Sequence, residues 1–129
     1  MKTLVLNETA LRNFTFEIEQ CELVTWEGTL VRFQGERLPS NARIAPRSFE
    51  QVLDPAGGPV GVYLGIKRLQ WEEANASLHP EPDRHAGSAD GQPRFSLQER
   101  DTPDFFTANG QSASLQYLLH EVRLLFDQD

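Results

Sequence analysis

Residues 79–85 read HPEPDRH, two histidines with five residues between them, two acids and an arginine among these. His79, His85 and Asp83 or Glu81 are the residue types that bind zinc, which takes four ligands, commonly Cys and His placed two to a tight turn. Here the spacing is wider than in a zinc finger and no cysteine pair accompanies it. Pro80 and Pro82 hold the backbone extended, which drives the two imidazoles apart rather than together. The segment reads as a solvated polar loop, and no metal is expected.

Other fragments of catalytic motifs are incomplete. HEVRL, from His120, begins like the zinc-protease pattern His-Glu-x-x-His, but Leu124 stands where the second ligand must be. Ser88 lies among small residues, yet a nucleophile elbow needs glycine two before and two after, where Ala86 and Asp90 are found. The run DPAGGPVG has no following Lys-Ser/Thr and precedes a strand, so it is no phosphate loop. Glu17 and Glu19 project from one strand face about 7 Å apart, near the spacing of a glycosidase pair; a solvated sheet face accounts for them more simply. Cys21 is the single cysteine, with no Lys or His beside it in sequence, and reads as a small hydrophobe. Trp26 and Trp71 read as sheet-core packing. No catalytic residue and no cofactor are assigned.

The elements that carry these residues follow from periodicity. FTFEIE alternates, with Phe14, Phe16 and Ile18 on one side, as a half-buried strand does. CELVTWEGTLVRFQG reads as a hairpin turning at Glu27-Gly28, a register that pairs Trp26 with Thr29 and Val24 with Val31. Residues 46–53 suggest a short helix stopped by Asp54-Pro55. VGVYLGIKRLQW reads as a strand bent near Lys67. Residues 72–94 carry almost no apolar side chains and form a long polar loop, a length that usually signals function or mobility. RFSLQE is a further strand. SASLQYLLHEVRLLF then reads as a C-terminal helix, with Leu115, Leu118, Leu119, Val122 and Phe126 on one stripe. Tyr117 and Leu124 lie on a second apolar stripe flanked by His120 and Glu121.

These readings predict an α+β fold: a mainly antiparallel sheet of about five strands with the C-terminal helix packed on one face, in a single domain spanning 1–129.

Composition narrows the function. The net charge is −7, from 19 acids and 12 bases, and no basic run exceeds two residues. That balance opposes nucleic-acid binding and attachment to an anionic membrane. No stretch is apolar for long enough to serve as a signal core or a membrane span, so a cytoplasmic protein is expected. Arginine outnumbers lysine ten to two, which suggests a GC-rich bacterial or phage genome. The chain is therefore expected to be a non-catalytic binding protein of immunity, anti-defence or adaptor type. It would occupy a protein partner or a second copy of itself through Tyr117, His120, Glu121 and Leu124. The competing expectation is a small enzyme or ligand binder whose 72–94 loop, with His79, Asp83, Arg84 and His85, closes over a pocket at the sheet.

Overall fold

The computed structural model describes residues 1–35, 40–72, 74–77, 93–104, 106 and 109–129. In chain order the elements are β1 (Thr3–Leu6), α1 (Glu8–Arg12), β2 (Thr15–Phe16), β3 (Ile18–Val24), β4 (Leu30–Phe33), β5 (Ala42–Ile44), β6 (Arg47–Ser48), a 3₁₀ turn (Glu50–Val52), β7 (Val62–Ile66), β8 (Ala76–Ser77), β9 (Phe95–Thr102) and β10 (Ala113–Phe126). The protein is mostly β. One sheet has the order β1-β3-β4, all antiparallel. A larger sheet is built around β10, and β2 pairs with β6 in a small ribbon.

β10 organises the larger sheet. His120 is paired with both Phe95 of β9 and Ala42 of β5, so those strands flank it on opposite sides. Val122 is likewise shared between Ile66 of β7 and Ile44 of β5. β9 and β7 therefore lie end to end along one edge of β10, β9 against residues 113–120 and β7 against 122–126. β5 runs parallel to β10 along the other edge, over 120–122 alone. Among the described residues, positions 113–119 of β10 pair on one side only.

The two main sheets face each other. Cys21 and Val31, wholly buried, pack with Ile18 and Phe33 against Ala42, Ile44, Val122 and Leu124 of the larger sheet. Leu6, Phe16, Leu23, Leu64 and Ile66 complete this apolar layer. Removing this area from water is the main drive to hold the sheets together.

The expected C-terminal helix is absent, and with it the α+β architecture: residues 113–126 form a fourteen-residue strand. Their sequence suits both periods, because Leu and charged residues favour helix while Val122, Leu124 and Phe126 also alternate inward. Three neighbouring strands supply backbone partners along this segment, and tertiary pairing overrides local propensity. The second helical stripe disappears with the helix. Tyr117 and Leu124, on opposite faces of a strand, cannot form one surface.

Smaller differences have equally local causes. The predicted strand at 14–19 is broken: Phe14 adopts φ of 55° and Phe16 pairs with Arg47 in the small ribbon before β3 begins. Residues 46–53 form β6 and the 3₁₀ turn rather than a helix. The β3–β4 hairpin is present, but its register is displaced by one residue, pairing Val24 with Leu30 and Leu23 with Val31. Gly28 (φ 85°) closes a three-residue loop: its N–H donates to the Thr25 carbonyl at 2.9 Å, and Thr25 N–H donates to the Thr29 carbonyl at 2.9 Å. A one-residue slip reverses every side chain, so Leu23 and Val31 face inward while Val24 and Leu30 face solvent.

Candidate functional site

Among the described residues a cleft of about 220 Å³ opens where the β3–β4 turn approaches the ends of β7 and β9. Leu23, Leu64 and Ile66, which belong to the margin of the apolar core, line its interior. Thr25, Trp26, Glu27 and Thr29 come from the turn, and Arg68 and Arg94 from the segments after β7 and before β9. The turn is what brings Trp26 here: its indole is 84% exposed, with the Arg68 guanidinium 5.6 Å from its ring centroid. Arg68 also lies 3.9 Å from the Glu27 carboxylate.

Arg94 is placed by the seam between β7 and β9. Its carbonyl accepts the Glu121 N–H at 2.9 Å, which continues the β9 pairing by one residue. Its Nη1 donates to the Lys67 carbonyl at 2.7 Å, tying the end of β7 to the start of β9. The residue is 6% exposed, and its guanidinium lies 5.3 Å from the Phe95 ring centroid. Nε is buried with no hydrogen-bond partner among the described residues. No carboxylate among the described residues forms an ion pair with it.

The residues singled out from sequence are dispersed. Tyr117 is half-buried in the β9–β10 ribbon, its hydroxyl 3.1 Å from the Thr102 hydroxyl and the Arg100 guanidinium 5.8 Å from its ring. His120 is tilted against Phe95 with centroids 5.1 Å apart. Burial, and then the charge of Arg94, push its pKa below the usual histidine value. Glu121 is paired with Arg43 at 3.7 Å. Leu124 lies in the core between the sheets, 4% exposed. His79, Asp83, Arg84 and His85 lie outside the described residues, as does most of the 72–94 segment. Burial raises the Cys21 thiol pKa, which keeps it neutral.

Sequence reasoning missed Trp26, Arg68 and Arg94 as neighbours. Trp26 carried a signal, since a residue two before the turning glycine stands at a hairpin's tip; assigning it to the core was wrong. Trp71, likewise assigned to the core, is fully exposed. Nothing local distinguishes Arg94 from the other nine arginines.

Fold and cleft together describe a two-sheet β protein with a cleft where the β3–β4 turn meets β7 and the start of β9. Across residues 1–129 the sequence matches the model of the bacterial type VI secretion family that includes EvfL, ImpJ and VasE, and the chain belongs to that family. No curated protein matches it. Its fold is similar to a TssK crystal structure, with a TM-score of 0.71 and 20% identity over 98% of this chain and 26% of that one. It is also similar to a chain of the TssK–TssF–TssG baseplate subcomplex solved by cryo-electron microscopy, with a TM-score of 0.75 and 11% identity over 99% of this chain and 38% of that one. The chain thus spans less than half the length of either protein.

Proposed function

We propose that this chain is a non-catalytic binding module of a type VI secretion baseplate, acting on the cytoplasmic side by engaging protein partners. The family match over the whole chain carries this reading. The likeness to a chain of the TssK–TssF–TssG baseplate subcomplex supports protein partners of that kind. Residues 1–129 are taken as a single folding unit, because one apolar core joins strands from both halves of the sequence. Of the residues indicated by sequence, the proposal retains Tyr117 as a partner contact, since it stays half-exposed on the ribbon with the exposed Leu115 on the same face. His120, Glu121 and Leu124 serve in that proposal as the support that fixes the strand.

The test is co-expression with the TssF and TssG proteins of the same genome, followed by size-exclusion chromatography with mass determination. Co-elution of all three is expected. Elution of this chain alone, as a monomer or as a multiple of its own mass, overturns the baseplate reading. The competing enzyme or ligand-binder reading depends on residues 78–92, which lie outside the described residues.

A further inference from the structure

We propose that the cleft at the β3–β4 turn captures an acidic side chain presented by a partner protein, with Arg94 as its receptor at the base, Arg68 at the rim and the Trp26 indole as a wall. The inference rests on the reading of this chain as a binding module and adds the chemistry that the partner must bring.

Arg94 supplies the main reason. A guanidinium stays charged at any physiological pH and carries five N–H donors. Buried charges are ordinarily paired with an opposite charge, because losing water without compensation is costly. Arg94 is 6% exposed, yet its recorded partners are the Lys67 carbonyl and the face of Phe95. The carbonyl engages Nη1 alone and offers a partial charge. Stitching the β7–β9 seam therefore accounts for one nitrogen, and no carboxylate among the described residues matches the charge of the group.

The rest of the cleft fits a carboxylate on a protein. Arg68 and Arg94 against Glu27 give it a formal charge of +1, within a chain whose net charge is −7. Carboxylates match the planar fork of arginine. The volume of about 220 Å³ lies below the roughly 300–1,000 Å³ of small-molecule pockets, which suits a side chain or two rather than a cofactor. Two separated arginines make no track for a phosphate backbone. Tryptophan and arginine are among the residue types enriched at the energetic centres of protein interfaces. The occupant is thus an Asp or Glu whose apolar neighbour rests on Trp26.

The experiment uses the Trp71→Phe variant, which leaves Trp26 as the sole tryptophan, and the capped dipeptide acetyl-Glu-Leu-amide as probe. A saturable change in fluorescence is expected, with binding weakened about tenfold or more for the Gln-Leu counterpart and for Arg94→Met. Equal responses to both peptides, or none, overturn the proposal. Displacement of the peptide by inorganic phosphate at equal concentration reveals a free-anion site and overturns it too. Should Arg94→Met fail to fold, as seen in its thermal melt, Arg68→Gln followed by fluorescence and Trp26→Ala followed by titration calorimetry decide: weakened binding supports the cleft and unchanged binding removes it. Co-elution with TssF and TssG is scored separately. A complex that forms equally well with Arg94→Met and Trp26→Ala overturns the cleft and leaves the baseplate reading standing. Peptide binding without any complex keeps the cleft and removes TssF and TssG as its partners.

Discussion

At the residue scale, the same strand holds side chains with opposite duties. Leu124 fills space between the sheets, and truncating it to alanine should lower unfolding free energy by about 2–5 kcal/mol, measured by urea denaturation. His120 makes stability depend on pH. Burial holds its folded pKa below the ordinary value of 6.5, so on acidification the unfolded chain takes up the proton first. Stability is therefore complete above the unfolded pKa, falls as pH drops below it, and levels off once the folded imidazole also protonates. The wild-type urea midpoint should fall between about pH 8 and about pH 5 by more than that of His120→Gln; parallel losses in the two proteins would remove His120 as the cause. Sequence made part of this scale legible. Cys21 as a small hydrophobe follows from its neighbours, whereas the burial of Arg94 depends on two strands meeting far apart in sequence.

Among the elements, β10 shows where periodicity stops being decisive. Leu118, Leu119, Val122 and Phe126 satisfy a helical stripe, and Val122, Leu124 and Phe126 satisfy a strand. Length favoured the helix; the available backbone partners favoured the strand. The hairpin was legible in kind because Gly28 announces it, but the register turned on whether the loop held two residues or three. β10 should not be uniformly stable. Residues 121–126 are held by neighbours and by the Arg47 side chain, which donates to the Leu124 carbonyl at 2.9 Å and pairs with Asp129. Among the described residues, 113–118 pair with β9 alone, and two-stranded ribbons are marginal in water. Hydrogen exchange followed by mass spectrometry should show the 113–118 amides exchanging well before those of 121–126. Uniform protection along the strand would mean that something else covers the ribbon.

For the whole molecule, the strongest link is the apolar layer shared by the two sheets. Val31 from the first half and Val122 from the second are both in it, so neither sheet retains its buried face alone. Heating should produce one calorimetric transition whose van't Hoff and calorimetric enthalpies agree, and Val31→Ala and Val122→Ala should each shift that same transition downward. Two resolved transitions would divide 1–129 into separate units. Composition contributed here too: the scattered charges of an acidic, solvated surface were one reason to expect protein contacts. What composition and spacing could not supply was the layering, since pairing between residues such as Val122 and Ile44 is invisible to any local pattern.

The place of β10 in the sheet also sets the order in which the protein can be made. β5, β7 and β9 each find their longest pairing in residues 113–126, so a ribosome must release three strands before the one that unites them exists. β1, β3 and β4 are contiguous enough to pair as soon as they emerge, while the second sheet waits with its edges bare. Long-range pairing of this kind is slow and exposes sticky surface in the interval. The growing chain is then most in need of a chaperone, or of an early-arriving partner, in the stretch of synthesis between β5 and β10.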